Sequence, residues 1–158
     1  MKIMFICTGN ICRSAMAHWL FKKKLEDVKI KDVEVYSSGT YAETGDVSTE
    51  EAIEVMEEYG VDLKQHRATN ISKSDIENMD LILCATSEHK IQILRKYPKL
   101  NEKLYTMKEY VNYDTEGYNK INIKDPWGYG IAVYRMCAAE IEKCLDLLIK
   151  QLEKRKNM

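Results

Sequence analysis

The chain begins MKIMFICTGNICRS (Met1–Ser14), an apolar run that breaks into a turn crowded with functional groups. KIMFIC, residues 2–7, reads as a short buried strand. Thr8, Gly9 and Asn10 follow as turn residues. Ser14 then opens a segment, 14–27, in which Met16, Trp19, Leu20 and Leu25 fall roughly on one helical face. A strand passing through a tight turn into a helix is the repeating unit of an α/β fold.

The rest of the chain repeats that alternation. VEVYS (33–37) reads as an alternating strand and SGTYAETGD (38–46) as a loop. A helix capped by Ser48 or Thr49 is expected to end at Gly60. DLILCA (80–85) is a continuous apolar run of strand length. Ser87 is expected to cap a helix over 88–96 that stops before Pro98. KLYTM (103–107) reads as a fourth strand, a loop spans about 112–130, and a long helix fills about 131–154. Strands alternating with helices predict an α/β domain, a four-stranded parallel sheet with helices on both faces. The uninterrupted apolar strands fit burial on both sides.

At 158 residues the length fits one domain, 1–158. Apolar residues make up 45% and charged residues 31%, an ordinary globular balance. The net charge of −1 gives no global field for nucleic acid or an anionic membrane, so neither is an expected partner. No apolar run approaches the ~18 residues of a membrane span, and the N-terminus does not read as a secretory signal. A cytoplasmic location is therefore expected. Five cysteines, an odd number, suggest free thiols in a reducing compartment. No Cys/His spacing suits a metal, so neither metal nor cofactor is expected.

CTGNICRS lies where such folds bind ligands, at the carboxyl end of a strand entering a helix. Backbone N–H groups of residues 8–14 and the first helical turn can surround one anion. Thr8, Gly9, Asn10, Ile11, Cys12, Arg13 and Ser14 are therefore the candidate phosphate-binding residues. Gly9 lets the backbone approach closely, and Asn10 tolerates a left-handed conformation. Arg13 can fork to two oxygens. Alone, Cys7 reads as a buried strand cysteine; among amide dipoles and beside Arg13 it becomes a candidate thiolate nucleophile able to attack phosphorus. Ser14 is placed to donate to that thiolate or to cap the turn. A leaving oxygen needs a proton, and Asp125 in KDPWGYG is the candidate acid, on a loop stiffened by Pro126. Trp127 and Tyr129 could wall a pocket for a flat ring; a plain Asp-Pro turn is the alternative.

These residues resemble the low-molecular-weight protein tyrosine phosphatases, whose pattern is V/I-C-x-G-N-x-C-R-S-P early and D-P-x late. SSGT (37–40) resembles the family's S-A-G-T, and GVDLKQHRA (60–68) its G-I-x-L-x-x-H-x-A. Ala15 departs from the usual proline, and Ser38 from the usual alanine. The resemblance covers nearly the whole chain. It implies a Rossmann-like or flavodoxin-like phosphatase I fold and hydrolysis of protein phosphotyrosine through a thiophosphate on Cys7. It makes Arg13 the phosphate clamp and Asp125 the acid and later the base, and implies phosphorylated proteins and inorganic phosphate or other oxyanions as partners. It also suggests that Asn10 holds a strained loop tied by Ser37 and His66, and that Tyr41 forms a cleft rim with Ile11, Trp127 and Tyr129.

Cys12 lies five residues after Cys7 in a loop folded around one point. It is a candidate redox partner for that thiol, or a filler beneath the loop. Ile11 stands where the resemblance leads to threonine in the protein-arginine-phosphatase branch, which MKEYV and DPWGYG also resemble. An arsenate reductase would need a further cysteine after Cys84 to relay a disulfide, and a non-catalytic anion-binding module would not need Asp125. His18 is expected to face outward from the first helix, and His89 to be an ordinary residue of a short one.

Overall fold

The structure, a computed structural model, describes residues 1–114 and 116–157. Four strands, β1 (Lys2–Cys7), β2 (Glu34–Gly39), β3 (Leu81–Cys84) and β4 (Leu104–Thr106), form one parallel sheet in the order β2-β1-β3-β4. Helices α1 (Arg13–Asp27), α2 (Glu50–Glu58), α3 (Ser87–Lys96), α4 (Met107–Tyr110) and α5 (Ile131–Lys156) complete the chain with short 3-10 turns.

Strand alternation splits the core between two faces. Ile3, Phe5, Leu81 and Leu83 point into one cluster with Ala15, Met16 and Leu20 of α1, Val55 of α2, and Tyr134, Ile141 and Leu145 of α5. Met4, Ile6, Ile82 and Cys84 point into the other, against Ile93 of α3 and Ile71, Ile76 and Leu100. Both faces are covered, which explains why β1 and β3 are apolar without a break. On the first face Phe5 meets Phe21 edge to face at 5.5 Å. Lys24 joins α1 to α5 through Glu142 at 3.0 Å and Asp146 at 2.7 Å.

Local chemistry sets several boundaries differently from the sequence reading. Thr49 caps α2, and Gly60 follows that helix with φ +74°. Thr86 caps α3 in place of the expected Ser87, because the Thr86 hydroxyl accepts from the His89 amide while the His89 ring receives the Thr86 amide. Thr106 and Glu109 form a second capping box, so β4 ends at Thr106 and α4 starts where residue 107 was expected to continue the strand. β2 runs on to Gly39, into the expected loop. Cys12 is the cap residue of α1 without a side-chain cap bond, so Ser14 is inside the helix and does not cap it. The loop expected over 112–130 contains a 3-10 turn at Gly117–Lys120.

The chain leaves β1 through α1 toward β2 and leaves β3 through α3 toward β4. The connections diverge at the carboxyl ends of β1 and β3, and this switch point opens a crevice there. Its floor is fixed by a close approach: a Cβ on Gly39 would lie well inside contact distance of the Thr8 carbonyl oxygen, 2.9 Å from the Ala42 Cβ and 3.0 Å from the Asn10 nitrogen. Gly39→Ala must push the turn after β1 off the end of β2. Overpacking of this kind costs roughly 1–3 kcal/mol, so a loss in that range is expected in urea melts; an unchanged midpoint would contradict it.

Candidate active site

The turn after β1 wraps back on itself because Asn10, fully buried, takes φ +56°. Four bonds hold it. Its side-chain oxygen accepts from the Thr69 amide at 2.9 Å and its side-chain nitrogen donates to Ser14 Oγ at 2.8 Å. Its carbonyl lies 2.8 Å from His66 Nε2. His66 Nδ1 receives the indole N–H of Trp19 at 2.8 Å. An indole nitrogen only donates, so a neutral His66 carries its proton on Nε2 and gives it to Asn10. Burial lowers the His66 pKa and keeps that ring neutral.

The curl brings Ser14 beneath Cys7, with its hydroxyl 2.9 Å and its amide 3.4 Å from the sulfur. Since Ser14 Oγ already accepts from Asn10, its own proton is available to Cys7; the alternative acceptor, the Ser38 carbonyl, is 3.5 Å away. Two donors and the positive end of α1 therefore face the sulfur.

Arg13, 4% exposed, is anchored by an N–H to the Ile123 carbonyl at 2.8 Å, and its other terminal nitrogen lies 3.6 Å from Asp125 Oδ2. Its Nε has no partner among the described residues. The amides of residues 9–13 likewise meet no protein acceptor among the described residues. Apart from Asn10, the residues that carry these orphan donors line a cleft of about 240 Å³, formed by Cys7, Thr8, Gly9, Ile11, Cys12, Arg13, Asp125 and Trp127. A larger hollow of about 660 Å³ lies at the other end of the molecule, between the C-terminal part of α1 and β2. It is lined by lysines, glutamates and apolar groups and holds no cysteine, so the smaller cleft is the candidate site. Asp125 sits at the cleft mouth with its side chain 52% exposed, and its Oδ1 accepts from the Trp127 amide at 3.1 Å. Cys12 lies beneath the loop, 3.3 Å from the Tyr134 hydroxyl and 3.6 Å from Thr49, with its thiol pushed up to about 11 by burial.

Several expected positions differ. Ser37 does not reach Asn10. It pairs with Phe5 across β1–β2 and so faces α1, where its hydroxyl meets His18 Nδ1 at 2.7 Å. His18 is correspondingly not outward: it is half-buried, stacked on Trp19 and edge-on to His66. Ser38 faces the opposite side, where its hydroxyl is 3.2 Å from Met4 sulfur. Tyr41 and Tyr129 are exposed and stand outside the cleft lining; Tyr129 packs under Lys124 instead. His89 is 3% exposed, and its Nε2 lies 2.9 Å from Thr8 Oγ1. Its position three residues after a capping threonine was readable; its contact with a loop 81 residues away was not.

Burial holds the pKa of both His18 and His89 down to about 3. An unfolded histidine titrates near ~6.5. A pKa lowered by folding stabilises fully above ~6.5, and that contribution is lost progressively as pH falls toward about 3. Each such histidine adds a slope of up to ~1.4 kcal/mol per pH unit in that window. Melts between pH 7.5 and 5 are expected to show falling stability, less steep in His89→Gln. A flat wild-type profile would refute the assignment of neutral, buried rings.

A family model described as low molecular weight phosphotyrosine protein phosphatase matches residues 2–158. A protein-arginine-phosphatase from Geobacillus stearothermophilus is 36% identical over 152 residues, covering 96% of each chain. Among solved structures, a cysteine-to-serine variant of the YwlE arginine phosphatase with a phosphorylated active-site serine superposes with a TM-score of 0.88 at 34% identity, over 98% of this chain and 97% of that one. A low molecular weight protein tyrosine phosphatase from T. tengcongensis superposes with a TM-score of 0.86 at 37% identity, over 96% and 99%.

Proposed function

The chain belongs to the low molecular weight phosphotyrosine protein phosphatase family, and from that premise we propose that it hydrolyses protein phosphotyrosine with Cys7 as nucleophile. The observation that carries the reading is the convergence of Cys7, Arg13, Asp125 and the orphan loop amides on one cleft. The Cys7 thiolate attacks phosphorus from beneath. The amides and Arg13 take up the charge on the phosphoryl oxygens. Asp125, at the mouth, gives its proton to the leaving oxygen. Water then cleaves the thiophosphate, with Asp125 accepting the water's proton, and Ser14 stabilises the returning thiolate. Cys12 is the proposed redox partner: a Cys7–Cys12 disulfide would keep an oxidised nucleophile recoverable. We further propose one catalytic domain over 1–158 acting in the cytoplasm; no helix among the described residues is long and apolar enough to cross a membrane.

Cys7→Ser is expected to abolish turnover while still binding inorganic phosphate, since the loop amides remain. Asp125→Ala should lower turnover by roughly 10²–10⁴ on aryl phosphates. That loss should shrink for very good leaving groups, which need no proton; an equal loss across leaving groups would make Asp125 structural rather than catalytic.

Similarity to the Geobacillus stearothermophilus enzyme favours a second reading, a protein-arginine phosphatase. Ile11 decides between them in our reading. It gives the cleft an apolar wall, which suits an aromatic ring and offers a guanidinium no hydrogen bond at that position. Steady-state rates on phosphotyrosine and phosphoarginine peptides are expected to favour phosphotyrosine, with Ile11→Thr shifting the ratio toward phosphoarginine. A wild-type enzyme faster on phosphoarginine would overturn the choice.

A further inference from the structure

The phosphatase reading uses the loop backbone and the side chains of Cys7, Arg13 and Ser14, and assigns no part to the side chain of Thr8. Thr8 follows the nucleophile directly and lines the cleft. Its carbonyl is taken by the Tyr41 amide at 3.0 Å. Its hydroxyl meets His89 Nε2 at 2.9 Å, across the switch point from α3. The direction of that bond follows from the other side of the ring. His89 Nδ1 lies 2.9 Å from the Thr86 hydroxyl, which can donate or accept, and 3.2 Å from the Thr86 amide, which can only donate. Nδ1 is therefore an acceptor, and a neutral ring carries its proton on Nε2. His89 is 3% exposed, and burial together with the nearby Arg13 charge keeps it neutral. Thr8 Oγ1 accordingly accepts from His89, and its single hydroxyl proton remains to be given elsewhere. Among the described residues it has no other side-chain partner: the Asp125 carboxylate is engaged with the Trp127 amide and Arg13.

We propose that His89 is a positioning residue that fixes the Thr8 hydroxyl as a hydrogen-bond donor to the phosphoryl group in the cleft. The inference rests on the phosphatase reading above. Its chemistry is that of a preset donor. A threonine hydroxyl is a free rotor that must be ordered when the anion binds. Here the ring saturates one lone pair in advance and leaves the proton directed away from it. An oxyanion is the acceptor such a donor fits, since hydrogen bonds to charged oxygens are the strong ones.

The competing account is that His89 only caps α3. A thermodynamic cycle separates the two: Thr8→Val, His89→Ala and the double variant, each as the full chain, are assayed for inorganic phosphate affinity, for kcat and KM on p-nitrophenyl phosphate, and for melting temperature. Thr8→Val, which removes the hydroxyl and keeps the branched shape, is expected to weaken phosphate binding about tenfold, the scale of one bond to a charged group. His89→Ala should weaken it comparably, and the double variant no more than the larger single loss, because both act through one hydroxyl. His89→Gln, whose amide can accept from Thr86 and donate to Thr8, should restore most of the affinity. Unchanged phosphate affinity in Thr8→Val overturns the inference, as do losses that multiply in the double variant. Should His89→Ala fail to fold, Thr8→Val still decides. If wild type hydrolyses the substrate and Cys7→Ser does not, while Thr8→Val matches wild type, only this inference falls. If Cys7→Ser remains active, the phosphatase reading falls with it.

Discussion

The left-handed turn at Asn10 is the constraint on which the site depends. A non-glycine residue at φ +56° is strained, and the chain accepts it because three partners hold Asn10 in place: the nearby Ser14 hydroxyl and, from distant segments, the Thr69 amide and His66. Reversing the backbone there leaves the following amides without a protein acceptor among the described residues and carries Ser14 under the Cys7 sulfur. A straighter turn would satisfy the backbone more simply but would leave no ring of free donors. The strain and the orphan donors are thus two aspects of one arrangement. Both persist because the turn is clamped on every side by structure unable to relax, including the tight approach of Gly39.

The parallel sheet supplies those clamps. β1 is central, and its neighbours send their connections to opposite faces. The turn after β1 is reached from one side by His66, directly after the 3-10 turn Leu63–Gln65 that follows α2, and from the other by α3, which carries His89. Asp125 arrives from more than a hundred residues away, and its approach is also tied to the sheet. The Ile123 amide bonds the Ala85 carbonyl at the end of β3, and the Ile123 carbonyl receives Arg13. The loop that carries Asp125 is therefore attached to Arg13 and to the sheet at the same residue.

Legibility in the sequence followed the range of the interaction. The parallel fold was readable because β1 and β3 are uninterrupted apolar runs, and Cys7, Arg13 and Asp125 because each sits in a dense local pattern. Asn10 was readable as a left-handed position, since few other residues accept one. β4 was overextended because the threonine–glutamate capping box at 106–109 was absorbed into an apolar run. Ser37 was assigned the wrong partner because adjacent residues on a strand face opposite ways, and its face depends on a register with β1 that only the assembled sheet fixes. His18 and His89 were read as unremarkable because a histidine on a helix gives no local sign of its tertiary neighbour. Tyr129 enters the expected rim through its nearness to Asp125 in sequence and Tyr41 through the resemblance, and the fold leaves both in solvent.

His66 and His89 are used in the same way. Each receives an N–H on Nδ1, from Trp19 and from the Thr86 amide, and each is thereby set to give its Nε2 proton to the phosphate loop. One holds the Asn10 carbonyl and the other the Thr8 hydroxyl. Burial keeps both rings uncharged. Neutrality has a consequence for the chemistry. A protonated histidine in either place would add a cation beside the anion and strengthen ground-state and transition-state binding alike, which does not accelerate the chemical step. A neutral ring fixes geometry without adding charge. The burden of charge is left to Arg13 and to amide dipoles that need no reorganisation as the reaction proceeds. The same choice makes the site sensitive to acid, since protonating either Nδ1 would remove the acceptor that sets the ring, and with it one of the holds on the loop.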